Sequence, residues 1–463
     1  MILADRKKVQ QIRTKRVSKS KNTGSDGIKK VKPIKPDTST IKMTPEKTTR
    51  KSDAPKQIRR EQSNANKANR STFDRTADSK FIKPPKKNNG FSVIRGKKGE
   101  IKKKRLITLS ISFIVIISVL IFCLTSPTGP IERITNAFAV MGSGDYPAVM
   151  TGTSVDDLQT TNNKIFALTN SHLCGYNYSG NNFLLLQHDF SNPVLDTSEE
   201  RVLLYNRESN KFNIANNSGS LFDENLEQAI FCGDISYNGS VAFVCDSSSF
   251  AAQILVFDKN MEQYYTWYLA DGLVSDITVS DDGEYVALAV LKVKNGSFSS
   301  EIYCLDTEKE EPLYVKELVG ETVYRVESVS SSNFVYTSDK NLEFVDWETG
   351  KAITNNNFGS ASYFSSISDY YLALYGEASR SDILLYNSSG EIEEQFEYNG
   401  IIDSISIFDE RVYILTGNKV NYFDFSGKNQ KTISLDSKPD YIVGVDDGFI
   451  SINNIDIDFV SVE

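Results

Sequence analysis

Few side chains in this sequence have types or spacings suited to chemistry. There are two histidines, His172 and His188, and five cysteines, Cys123, Cys174, Cys232, Cys245 and Cys304. Nucleophilic catalysis of the Ser-His-Asp kind needs an imidazole, or another base, beside the nucleophile. His188 precedes DFSNP at the end of an apolar run, where a structural hydrogen bond is the simpler role. No CxxC occurs and neither histidine has a ligand-like partner, so a zinc site of the usual spacing is not indicated. No DxDxDG loop is present for calcium. A quinone cofactor would call for stacking aromatics and metal ligands, but the two tryptophans, Trp267 and Trp347, sit in strand-like runs and read as packing residues. No catalytic residue, ligand-binding residue, metal ligand or cofactor is therefore assigned. Carboxylates remain, 60 Asp+Glu in all, and a glycosidase-like pair among so many would not stand out.

One pair of cysteines is a candidate disulfide. In IFCGDISYNGSVAFVC, a two-residue Asn238-Gly239 turn sets Cys232 directly opposite Cys245. The site would be non-hydrogen-bonded with Cα atoms ~4.5 Å apart, near the lower limit of disulfide geometry. A longer turn with a glycine bulge would instead shift the register and send the sulfurs to opposite faces. Cys174 and Cys304 read as buried free thiols.

The elements that carry these residues are short strands. ITVSDDGEYVALAV, at 277–290, is a hairpin: alternating apolar residues, Ser-Asp-Asp-Gly, then alternation again. Weaker copies lie on both sides. The end of each third strand is marked by an Asp or Asn before a turn: Asn177, Asn216, Asp258, Asp306, Asp346, Asn387 and Asp424. The intervals are 39, 42, 48, 40, 41 and 37 residues. Four strands per period near forty is the pattern of a β-propeller. The marker side chains can bond the backbone two residues on and set the turn. The last segment, PDYIVGVDDGFISINNIDIDFVSVE, supplies three strands, and GDYPAVMTG at 144–152 is a lone strand. That lone strand is expected to complete the last sheet and close the ring, removing open edges. The count is eight blades, with seven as the alternative if one group is over-divided.

The charge is segregated. Residues 1–105 hold 33 Lys+Arg against 9 Asp+Glu, so residues 106–463 hold 52 − 33 = 19 against 60 − 9 = 51. Residues 1–105 have apolar residues singly and without period, and read as a disordered basic tail. Leu106 to Leu124 carries no charge. As a helix it would rise roughly 28 Å at ~1.5 Å per residue, close to the ~30 Å hydrocarbon core. Lys97, Lys98, Lys102, Lys103, Lys104 and Arg105 flank it on one side, against Arg133 alone between Thr125 and Val140 on the other. The positive-inside rule then places the tail in the cytoplasm and the acidic part outside. The expected organisation is a tail at 1–105, a single-pass transmembrane helix at 106–124, a linker at 125–143 that serves as a spacer, and an extracytoplasmic all-β propeller at 144–463. The basic cluster suits anionic lipid, at ~1 kcal/mol per residue. Nucleic acid is the less favoured partner, because stacking aromatics are sparse in the tail.

The ring resembles an uncharacterised bacterial family of single-pass, membrane-anchored propeller proteins. The pieces that carry the resemblance are GDYPAVMTG, HDFSNPVLDTSEERVLLYNR at 188–207, LEQAI at 226–230 and TWYLADGLVSDITVSDDGEYVAL at 266–288. More distantly it is similar to quinoprotein-type, WD40-like propellers, including envelope scaffold proteins that assemble other proteins. The resemblance implies topology and fold but no activity. The functional expectation is a protein-interaction scaffold or receptor in the cell envelope, with an envelope protein as partner. The alternative is an extracytoplasmic enzyme acting on a glycan or peptide.

Overall fold

The computed structural model describes residues 98–124, 128–161, 163–294, 296–353, 359–367, 370–377, 379–426 and 429–462. The disorder expected for residues 1–97, Lys97 included, lies outside the described residues. Packing divides the chain into residues 15–106, described only where the first helix begins, and a unit that holds residues 107–463. Helix α1 spans Lys98–Leu124 and helix α2 spans Pro130–Val140. The backbone of Lys98, Lys102, Lys103, Lys104 and Arg105 lies on α1, their side chains outside the described residues. From Leu106 to Ile121 every side chain of α1 is exposed. Among the described residues no helix is long and apolar enough to cross a membrane.

The rest is antiparallel β-sheet in consecutive hairpins. The first sheet holds Val155–Thr161, Lys164–Thr169, His172–Asn177 and Asn182–Gln187, in chain order. Four-stranded sheets of the same order begin at Leu273, Tyr363 and Ser404, and a three-stranded one begins at Val323. Residues 193–269 form one seven-stranded sheet, because a single strand, Gly219–Ile235, serves two groups. Its first half pairs with Ser209–Asn216 and its second half with Val241–Cys245. SLFDENLEQAIF contains no Gly or Pro to break the strand between the two partners.

The last sheet holds Tyr441–Val445, Gly448–Asn453 and Asp456–Ser461, and its fourth strand is Ala148–Val149. Ala148 pairs with Ile457 and Val149 with Asp456. The lone strand after the linker thus completes the final sheet.

The second strands are the most covered, and several are buried throughout. Lys164–Thr169, Arg201–Asn206 and Val241–Cys245 are buried along their whole length. Outer strands such as Ile392–Asn399 alternate or face solvent. Apolar residues of neighbouring strand groups meet in eight clusters among the described residues. One joins Met150 and, from the first sheet, Ile165 and Cys174 to Val443, Ile450 and Ile457 of the last sheet. The remaining seven join successive strand groups. This is the packing of a β-propeller, in which no sheet buries its faces alone and each leans on two neighbours.

The Asx turns form as the spacing implies. The Oδ1 atoms of Asn177, Asn216, Asp258, Asp306 and Asn387 accept the N–H two residues on, at 2.9–3.0 Å. Asp346 accepts from Thr349 N–H, and Asp424 from the Ser426 hydroxyl. All seven stand at one end of the ring.

Candidate functional site: the carboxyl-lined axis and the far rim

The first strand of each four-strand group lies nearest the axis, and these strands carry the unusual charges. Asp196, Asp234 and Asp276 occupy matching places in LDTS, GDIS and SDIT. Arg325 and Glu327 follow on the next inner strand. Each aspartate reaches its neighbour's backbone. Asp196 Oδ2 accepts from Ile235 N–H at 2.9 Å, Asp234 Oδ2 from Val279 N–H at 2.7 Å, and Asp276 Oδ2 from Val326 N–H at 3.0 Å. Thr278 Oγ1 also donates to Asp234, at 3.0 Å, and accepts from Ser328 N–H. Further round, Ser404 and Ser406 hydroxyls accept from Ile442 and Gly444. These side chains stitch adjacent inner strands that have no sheet ladder between them.

The same carboxyls form one electrostatic group. Asp196 and Asp234 are hydrogen-bonded to each other, and Asp234 also faces Asp276. Arg325 Nη2 pairs with Glu327 at 2.6 Å, and Arg325 Nη1 donates to Phe364 O at 2.8 Å. These groups lie deep in the protein, yet Asp196, Asp234 and Asp276 are half-buried and keep some exposed surface. Burial pushes the Asp276 carboxyl up to about 7, against the help of the Val326 N–H and Arg325. Burial likewise raises Asp196, and burial with the facing Asp196 charge raises Asp234. A protonated carboxyl can donate a hydrogen bond as well as accept one, and the bond between Asp196 and Asp234 needs a proton on one of them.

The registers define two ends of the ring. The Asx turns mark one, and α2 is held there. Glu132 binds buried Arg201 through both oxygens, at 2.8 Å to Nε and 2.7 Å to Nη2. Arg201 Nη1 also donates to Lys259 O at 2.6 Å, and Asn177 Nδ2 donates to the carbonyls of Val140 and Gly142 at 2.8 and 2.9 Å. Within the linker, residues 130–142 are bonded to the ring, because Glu132 and Asn136 meet Arg201 and Glu200 and the Val140 and Gly142 carbonyls meet Asn177.

The far end carries exposed apolar side chains. In the pairing Leu273↔Leu291, Val293↔Phe298 and Ser300↔Leu318, one face of a long hairpin is apolar toward its tip. Leu273, Val293, Phe298 and Val319 are exposed there. On the neighbouring group Phe250 and Tyr268, also exposed, meet with ring centroids 4.8 Å apart and planes tilted by 33°.

Residues 148–462 match the family model described as "Family of unknown function (DUF5711)". The chain belongs to this family. No curated protein matches it. Among solved structures it is similar to the computationally designed Ika8 protein, at 11% identity and TM-score 0.47, covering 67% of this chain and 98% of that one. It is similar to BamB from Moraxella catarrhalis, at 12% identity and TM-score 0.41, covering 68% and 97%. It is also similar to the C-terminal WD40 domain of Sif2, at 10% identity and TM-score 0.46, covering 70% and 100%.

The residues singled out in the sequence fall elsewhere. His188 Nδ1 accepts from Phe190 N–H at 3.3 Å, which leaves Nε2–H to donate to Thr169 O at 3.0 Å, a structural role. Trp347 is fully buried and its Nε1–H donates to Ser330 O, while Trp267 packs against Tyr303. The candidate disulfide does not form: Cys232 and Cys245 are free and buried. The turn is longer than two residues, so Val241 pairs with Ile235 and Val244, not Cys245, faces Cys232. A bulge then sets Cys245 opposite Ile230. Cys232 packs with Val244 on one face and Cys245 with Phe243 on the other.

The axial aspartates escaped the sequence reading. The signal was present: Asp196, Asp234 and Asp276 recur at intervals of 38 and 42, the repeat period, and each precedes Ile or Thr and then Ser or Thr. Aligning inner strands, not turns, would have found them.

Proposed function

We propose that this protein is a single-pass membrane protein whose acidic, eight-bladed propeller stands outside the membrane as a rigid docking platform for an envelope protein. The tail is cytoplasmic and its basic cluster meets anionic lipid. The count of eight rests on the eight apolar clusters, seven between sheets and one between the two halves of the seven-stranded sheet, the strand Gly219–Ile235 being outer strand of one blade and inner strand of the next. The observation that carries the platform reading is the run of exposed apolar side chains on neighbouring groups, at the end opposite the linker. Apolar anchors of this kind, aromatics above all, supply most of the binding energy at protein interfaces. The test is in-cell photocrosslinking from Phe298 and from Phe250, with Asn260 at the turn end as control. A recurrent protein adduct at the first two positions, absent at the third, supports the reading. Adducts made only of wall fragments overturn it.

The axial carboxyls favour one second reading, an extracytoplasmic enzyme acting on a glycan or peptide. A carboxyl that is protonated near neutrality beside an ionised one is an acid–base pair. Turnover of a wall-derived substrate that is lost in Asp234→Asn, with folding intact, would support the enzyme against the platform.

A further inference from the structure

Helix α2 is amphipathic in an unusual sense, with its polar stripe turned to the protein. Glu132, Asn136 and Val140 are spaced four apart, so they share one face. That face is bonded to the ring through Arg201, through Glu200, whose carboxylate accepts from Asn136 Nδ2 at 2.8 Å, and through Asn177. Asn136 is 1% exposed. The opposite stripe is Ile131, Ile134 and Phe138, continued by Met141 just past the helix end, and it carries no charge. Ile131, Phe138 and Met141 are 78%, 68% and 65% exposed. A helix that spends its polar groups on its own domain and leaves its apolar stripe in water has an unmet partner.

We infer that the stripe Ile131, Ile134, Phe138 and Met141 lies in the outer face of the lipid bilayer, making α2 an interfacial helix that fixes the ring's turn end against the membrane. This rests on the reading of residues 106–124 as a membrane span. Chain length commits the occupant: only residues 125–129 separate the end of α1 at Leu124 from the start of α2 at Pro130. Fully extended, that step covers about 21 Å at ~3.5 Å per residue, so α2 cannot stand far from the headgroups. An apolar helix face at that depth is stabilised by partial insertion, ~5–10 Å into the headgroup and acyl boundary. The lipid contact is apolar and not ionic, since residues 106–463 hold 51 acidic residues against 19 basic ones and would be repelled by anionic lipid.

The experiment uses the full chain with Cys123→Ser, reconstituted in zwitterionic phosphatidylcholine vesicles. Spin labels are placed one at a time at Phe138→Cys, Ile131→Cys, Ile114→Cys and Ser248→Cys. The native ring thiols are buried and stay unlabelled. Labels at 138 and 131 are expected to gain access to oxygen and lose access to a water-soluble nickel complex, as 114 does and 248 does not. If 114 is in lipid but 138 and 131 remain open to the nickel complex, the interfacial helix is wrong and the span stands. Labels at 138 and 131 shielded from both reagents mean a protein partner covers the stripe, which also overturns it. If 114 is in water, the span fails and this inference fails with it.

Discussion

Asp276 shows how one residue couples folding to pH. Its carboxyl is raised from the usual carboxylate range to about 7 by burial, so the folded protein favours the neutral form. The share of stability held by that proton is complete below the unfolded value of ~4 and is lost as pH rises through about 7. Asp234 and Asp196 are raised in the same direction. Asp276→Asn keeps an acceptor for the Val326 N–H and removes the titration, so the fall in thermal midpoint between pH 5 and 8 should flatten. Asp276→Ala leaves that N–H unpaired and should lie about 1–3 kcal/mol below Asp276→Asn at every pH. An unchanged pH slope in Asp276→Asn would show that this carboxyl does not titrate there. The thiols give a second expectation. Burial raises Cys232 and Cys174, and pushes Cys245 and Cys304 up to about 12. Native protein should resist iodoacetamide at all four and react at all four in denaturant, since none is held in a disulfide. Protection of Cys232 and Cys245 in non-reducing denaturant would contradict the register.

Among the elements, the strand Ala148–Val149 has the largest consequence for its length. It adds two residue pairs to the last sheet and delivers Met150, 2% exposed, into the cluster that joins the two ends of the ring. Met150→Ala should cost about 2–5 kcal/mol in urea unfolding. Combined with Ile457→Ala, from the same cluster, it should show a coupling of about 0.5–3 kcal/mol. Strict additivity would mean that the ends of the chain do not pack together. This closure was legible in the sequence because a segment with three strands and a segment with one are complementary. The fusion of two groups by Gly219–Ile235 was not legible. Whether a strand continues past its first partner depends on a second partner being in line, and that is a property of neighbouring sheets.

At the scale of the molecule, the linker and the exposed side chains of Leu273, Val293, Phe298 and Phe250 occupy opposite ends of the ring. On the platform reading, Phe298→Ser and Val293→Ser together should weaken capture of the partner at least tenfold while leaving the thermal midpoint unchanged, because both side chains are already exposed. Equal capture by this variant and the parent, measured by crosslinking yield in cells, would move the docking surface elsewhere. The sequence by itself determined the repeat, its turns and the all-β class, since these depend on residues two to forty apart and on local backbone preference. It determined the separation of basic and acidic segments in the same way. Tertiary structure alone decided the face of each cysteine, the meeting of Asp196, Asp234 and Asp276 at the axis, and the docking of α2 by its polar stripe. Those outcomes turn on register and on contacts between sheets, where a shift of one residue reverses the side a side chain takes.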